Sequence, residues 1–185
     1  MLRRDFHADA PNQRWVADIT EFPTGNGKLY LAAVRDLHHR GIVGWDTAGR
    51  QDAALVVSAL TMALARTGHP AKVIHHADKG TQYTSIAYTE RLADIGAAPS
   101  IGTIGDSFDN AMAETTIGLF KTELHRHPAA LARNGGPWRG LDDLELAVCE
   151  WVSWFNTERL HSELGDKTPT EIEADYRHPS QPEAA

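Results

Sequence analysis

The chain has 185 residues, a net charge of −7, 42% hydrophobic and 23% charged residues, the proportions of one ordinary globular domain with a proper core. Its single cysteine, Cys149, excludes an internal disulfide framework and suits a reducing cytoplasm. The opening MLRRDFHADAPNQRW lacks the apolar core of a signal peptide, and no run approaches the roughly 18 apolar residues of a membrane span, so the expectation is a cytoplasmic protein with no membrane partner.

Residues 1–13 read as an N-terminal extension. The stretch RWVADITEF (Arg14–Phe22) alternates apolar and polar residues and predicts a strand. PTGNGK is a turn of the Gly-Asn-Gly kind. LYLAAVRDL (Leu29–Leu37) predicts a second strand, HHRG a turn with His38 and His39 exposed, and IVGWDTA (Ile42–Ala48) a third strand. Short turns between three strands make an antiparallel meander. Gln51–Thr67 has apolar residues at helical spacing, and Gly68-His69-Pro70 ends it. KVIHHA is a fourth strand. SIAYTERLADIG predicts a short helix with Ser85 as N-cap and Gly96 as stop. APSIGTIGDS supplies a fifth short strand and a glycine-rich loop, and Phe108–His127 a strong amphipathic helix. After the loop PAALARNGGPWRG comes a last long helix over LDDLELAVCEWVSWFNTERLHS (Leu141–Ser162), with Leu141, Leu144, Val148, Trp151 and Phe155 on one stripe. HPSQPEAA reads as a disordered tail. This order predicts an α/β ribonuclease-H-like fold: a five-stranded mixed sheet with helices on both faces, its core over residues 14–127, a C-terminal helical part over 128–176 and the tail over 177–185.

Three carboxylates stand out against that layout. Asp18 lies inside the first strand, a position aspartate disfavours. Asp78 ends the fourth strand, and Glu114 lies in the first half of the Phe108–His127 helix. With the first and fourth strands adjacent and that helix packed over their ends, the three converge. Carboxylates so close cannot all stay ionised unless cations neutralise them. An all-oxygen donor set points to magnesium or manganese rather than zinc. Two such ions about 3.5–4 Å apart can clamp an in-line displacement at phosphorus with no protein nucleophile. Asp106 and Asp109, near the helix start, read instead as caps. His75 and His76 point to opposite faces of their strand and cannot share one ion. His76 shares the face of Asp78 and is expected beside the metals.

These residues sit in words that resemble the DDE transposases and retroviral integrases, and within them the catalytic OrfB transposases of the insertion-sequence-three family. The matching stretches are PNQRWVADIT around Asp18, VRDLHHRGIVGW from Val34, HHADKGTQYTS around Asp78, GDSFDNAMAETTIGLFKTEL around Glu114, and WFNTERLHSELGDKTPTE near the end, with 35 residues between Asp78 and Glu114. The resemblance implies Asp18, Asp78 and Glu114 as metal ligands and catalytic residues of a polynucleotidyl transferase. In this family metal-dependent nicking at a DNA end is followed by attack of the 3′-hydroxyl on a phosphodiester. Asn110 matches the DNA tripeptide ahead of the glutamate. Lys121, seven residues past Glu114, shares its helix face, where a cation can hold phosphate. Lys79, Gln82 and Tyr83 follow the Asp78 strand and are expected to line the DNA groove. Arg159 and His161 match the C-terminal signature and are placed with them. Two DNA ends need two active sites, so a homo-oligomer is expected.

Charge does not oppose a DNA partner. Residues 141–185 hold 11 acidic and 3 basic residues, whereas residues 1–140 are nearly balanced at 14 and 15. The resemblance departs in three places. Ala77 replaces the serine common in the family's HSD, Thr115 replaces a serine after Glu114, and the chain begins 17 residues before Asp18, where family members carry a helix-turn-helix region. An isolated core and a truncated reading frame both fit that start. Two other readings stand beside the transposase: a ribonuclease-H-like nuclease that only hydrolyses, and a non-catalytic remnant that binds DNA or inhibits full-length transposase by mixing with it.

Overall fold

The computed structural model describes residues 7–24, 27–77, 82–94, 96, 98–101, 118–123 and 140–178. Strand β1 (Arg14–Thr24) pairs antiparallel with β2 (Gly27–Asp36), and β2 with β3 (Ile42–Ala48). On its other side β1 pairs parallel with β4 (Ile74–Ala77), and β4 with β5 (Ala98–Ile101). The sheet order is β3-β2-β1-β4-β5. The two long antiparallel ladders are local in sequence, whereas β4 reaches the sheet only after a helical crossover, as a parallel pairing requires.

Alternation along β1 divides the core between the two faces. Trp15 and Ala17 enter one cluster with Val34 and Val43. That cluster is covered by α1 (Ala53–Thr67) and α2 (Ile86–Asp94), through Leu55, Leu60, Leu64, Tyr88 and Leu92. Phe22 enters the other cluster with Leu31, Ile42 and Phe120, under Leu144, Val148, Trp151 and Phe155 of α3 (Leu141–Thr157). The apolar stripe read from the sequence is therefore the buried face of α3. Helix α1 starts two residues later than its pattern suggested, because Asp52 is the N-cap and its carboxylate accepts from the Leu55 amide; Gly68, left-handed at φ 76°, ends it. Ser85 accepts the Tyr88 amide at 3.3 Å and Gly96 has φ 64°, so α2 has the start and stop expected of it. Strand β3 and α1 pack at backbone distance. A Cβ at Gly44 would collide with the Ala59 carbonyl and stand 2.6 Å from the Ala63 nitrogen.

The HHRG turn corrects one expectation. His39 is only 3% exposed. Its Nδ1 accepts the Gly41 amide at 3.1 Å. The fully buried Asp36 organises this corner, accepting from the Asn12 amide at 2.6 Å, Trp15 Nε1 at 3.1 Å and the His38 amide at 2.8 Å. The buried Asn156 side chain closes the edge of the sheet by accepting from the Ile42 amide and donating to its carbonyl, both at 2.9 Å.

The long C-terminal helix is shorter than expected. It ends at Thr157, and a separate α4 (Pro169–Arg177) follows a short 3-10 turn, Ser162–Leu164. The signal for α4 is present in the sequence as Thr168-Pro169-Thr170-Glu171. Thr168 Oγ1 accepts the Glu171 amide, Glu171 answers on the Thr168 amide at 2.7 Å, and Pro169 stands in the first turn. No described helix is long and apolar enough to cross a membrane.

Candidate active site

Asp18 lies in β1 opposite Ala33 of β2, partly buried, and its Oδ1 accepts the Ile19 amide at 2.8 Å. Counting in twos from Phe22 puts Asp18 on the face covered by α3, the opposite face from Trp15 and Ala17. The parallel ladder between β1 and β4 runs Val16↔His76 and ends at Ala17↔Ala77. Each of those alanines is the residue before an expected ligand, Asp18 in one strand and Asp78 in the other. Val16 and His76 are in register, so the buried His76 shares the face of Asp18.

Asp78, Lys79, Asn110 and Glu114 lie outside the described residues. Among the described residues no three His, Cys, Asp or Glu side chains gather where they could hold a metal ion. Of the helix expected over Phe108–His127, residues 118–123 are described and helical. They pack on the Asp18 face: Phe120 meets the Phe22 ring edge-on at 5.2 Å, and Lys121 Nζ stands 5.7 Å above the same ring. Lys121 is thus held four residues along β1 from Asp18, on the same face.

The remaining expected DNA contacts divide. Gln82 is partly exposed and donates to the Gln51 carbonyl at 3.3 Å. Tyr83 is 4% exposed and packs edge-on against Tyr88 inside the α1 cluster. This burial corrects the expectation that its ring lines a groove, because a ring enclosed by core side chains offers no face to a base. Arg159 and His161 are likewise engaged within the protein. Arg159 Nε donates to Glu123 Oε1 at 3.0 Å, and its guanidinium lies 5.6 Å above the Phe155 ring. Arg159 Nη1 is a donor, so the His161 Nδ1 it meets at 3.1 Å accepts; His161 Nε2 then carries the proton, which faces the Phe155 carbonyl at 3.3 Å. Sequence reasoning passed over Glu123, which also accepts Trp151 Nε1 at 2.8 Å. Nine residues from Glu114 is two and a half turns, the opposite face of an ideal helix, so spacing gave no signal for it.

Behind the ladder, on the opposite face, His75 is buried against Trp15 and within 3.1 Å of the Tyr88 hydroxyl. Burial, with His76 adjacent, pushes its imidazole down to about 4. The unfolded chain therefore binds a proton that the native state refuses between pH 6.5 and 4. Stability contributed by neutral His75 is complete above pH 6.5 and declines as pH falls through that window. Urea unfolding followed from pH 7 to pH 4 should show a slope up to about 1.4 kcal/mol per pH unit steeper in the parent than in His75→Phe. Equal slopes would mean that His75 is hydrated or protonated in the native state.

Two Integrase core domain models match the chain, one over residues 8–107 and one over residues 95–169. The putative transposase for insertion sequence element IS986/IS6110 of Mycobacterium tuberculosis (strain CDC 1551 / Oshkosh) is 43% identical over 190 residues, covering 100% of the chain and 66% of that protein. The transposase for insertion sequence element IS629 of Shigella sonnei is 41% identical, over 95% of the chain and 56% of that protein. The chain thus spans about two thirds or less of these relatives' own length. Among solved structures, the simian T-cell lymphotropic virus intasome in complex with the PP2A regulatory subunit B56 gamma contains a chain that superimposes with a TM-score of 0.78 at 21% identity, over 97% of this chain and 60% of that one. The HTLV-2 integrase catalytic core domain in complex with magnesium, in its dimeric form, gives a TM-score of 0.70 at 18% identity, over 90% of this chain and 99% of that one. At such identities the likeness establishes the ribonuclease-H-like fold.

Proposed function

The chain belongs to the integrase core domain family, and on that premise we propose that it is the catalytic core of an insertion-sequence transposase, a metal-dependent polynucleotidyl transferase that nicks DNA at an element end and joins the freed 3′-hydroxyl to a target phosphodiester. The observation that carries the reading is the parallel β1–β4 ladder, which closes at Ala17↔Ala77 one residue before each aspartate. Asp78 follows Ala77 directly in the sequence and consecutive Cα atoms are about 3.8 Å apart, so this reading sets Asp78 beside Asp18, in the interior of β1, where the parallel ladder closes. In this reading Glu114 lies on the helix expected over Phe108–His127, of which the described part, 118–123, packs on the Asp18 face.

The donor set fits a hard divalent ion. Asp18, Asp78 and Glu114 offer only carboxylate oxygens, which suit magnesium or manganese, and Asp18 already stands on the covered face of the sheet rather than in open solvent. When two such ions are bound they supply charge neutralisation at phosphorus and a deprotonated attacking oxygen. The protein's own residues do the positioning. Lys121 is held over Phe22 and places a positive charge on the Asp18 face, four residues along β1 from Asp18. Lys79, Gln82 and Asn110 complete the DNA contacts in this reading, with His76 beneath the ligands. Water is the nucleophile for nicking and a DNA 3′-hydroxyl for joining. Two ends require two copies of the core, so the working unit is an oligomer, and a longer transposase chain is a suitable partner for this one.

The test is a gel assay of labelled element-end DNA with magnesium or manganese, comparing the parent with Asp78→Asn. Metal-dependent nicked or joined product that the variant lacks is the expected result, and joined product distinguishes a transposase from a nuclease. Equal product from both chains would overturn the reading.

A further inference from the structure

We infer that Glu123 and Arg159 form a positioning latch that sets the catalytic helix against the C-terminal helices and so aligns the Glu114 carboxylate for metal binding. The inference rests on the transposase reading, in which Glu114 is a ligand, and it assigns the C-terminal signature a role other than DNA contact.

The helical segment 118–123 is anchored at two residues three apart, hence on one face. Phe120 is wedged between Phe22 of β1, at 5.2 Å, and Trp151 of α3, at 4.8 Å, both edge-on. Glu123 is gripped by two donors, one for each carboxylate oxygen: Trp151 Nε1 at 2.8 Å and Arg159 Nε at 3.0 Å. The first anchor refers the segment to the strand that carries Asp18. The second fixes its rotation and its height along the helix axis. Arg159 is itself held from three sides, by Glu123, by His161 Nδ1 and by the Phe155 ring. With its side chain only 21% exposed and Glu123's 23% exposed, the pair is shielded enough to be stronger than a surface ion pair. A guanidinium in this setting is occupied by protein acceptors, whereas a phosphate-binding arginine presents its donors outward.

The consequence follows from helix geometry. Glu114 precedes Glu123 by nine residues, two and a half turns on the helix expected over Phe108–His127. A metal ligand works only when held within about 0.5 Å of its productive position. A helix free to rotate or slide by a fraction of a turn would carry Glu114 beyond that tolerance without unfolding anything. The latch removes that freedom.

Manganese titration of the full 185-residue chain, read by water-proton relaxation well below each variant's melting temperature, tests the inference. Glu123→Ala is expected to weaken manganese binding about tenfold, as loss of an outer-shell support does. Glu123→Gln, which keeps one acceptor oxygen, should recover part of the loss. Hydrogen exchange supplies a second readout in Arg159→Lys, which retains charge and is the mildest change. The amides of 118–123 should exchange faster while those of β1 and β2 stay protected. Glu114→Gln is the reference. If it loses manganese and Glu123→Ala does not, the latch is refuted and the transposase reading stands. If Glu114→Gln binds manganese as the parent does, the ligand assignment itself fails and takes the latch with it.

Discussion

An Asp18→Asn chain is expected to lose metal-dependent cleavage of element-end DNA by about a thousandfold or more, equivalent to about 4 kcal/mol of transition-state stabilisation, while its melting temperature stays within a few degrees of the parent. The two halves of this prediction have separate causes. In the proposed mechanism activity falls because the amide removes a negative charge from a site that would hold divalent cations, and an amide oxygen is a poor replacement for a carboxylate toward a hard ion. The fold survives because the bond Asp18 makes to its neighbour, Oδ1 to the Ile19 amide at 2.8 Å, needs only an acceptor oxygen, which asparagine retains. Asparagine is disfavoured in a strand much as aspartate is, so the exchange changes strand propensity little. Initial rates at saturating manganese, measured beside thermal unfolding of the same preparations, give both quantities. Retained cleavage in a folded Asp18→Asn chain would remove Asp18 from the metal site.

Asp36→Ala is expected to do the reverse, with a stability loss on the order of 4 kcal/mol and no selective effect on chemistry. Asp36 is 0% exposed and collects the amides of Asn12 and His38 and the indole of Trp15 around one carboxylate. Alanine would take the acceptor from these donors and from the His39 amide at 3.4 Å, the indole and the His39 amide buried and the other two partly so, and each buried orphan is worth about 1–3 kcal/mol before the corner relaxes. Asp36→Asn should fall between, because its one oxygen can accept where two did before. Guanidinium unfolding at pH 7 measures the difference. A loss under about 1 kcal/mol for Asp36→Ala would mean that water enters the corner and satisfies the donors. The stretch VRDLHHRGIVGW thus builds a buried turn around Asp36. The family resemblance alone does not separate the two kinds of aspartate.

Much of the fold was legible because its signals are local. The alternation in Arg14–Phe22 and Ile42–Ala48, the apolar stripe from Leu141 to Phe155, and the stops at Gly68 and Gly96 all act within a few residues of themselves, and the structure places elements there. Helix α4 carried its own signal in the Thr168–Glu171 capping box, but the sequence reading stopped at the one long helix before it and missed it. Burial of polar side chains was not. His39 and Tyr83 are polar and lie next to turns, so composition alone places them at the surface; the Asp36 corner and the Tyr88 contact bury them.

By itself the sequence determined the elements, their order, and the three carboxylates at spacings that one sheet and one helix can bring together. Those follow from period, propensity and chain order, which are properties of neighbouring residues. Only the tertiary structure decided which arginine is occupied by a carboxylate and which lysine faces the Asp18 side of the sheet. Glu123 and Arg159 are 36 residues apart, and the Asn156 side chain closes a strand edge 114 residues earlier in the chain. Pairings at such distances depend on how helices pack on the sheet, so the surroundings of a charged side chain become visible only when the whole fold is assembled.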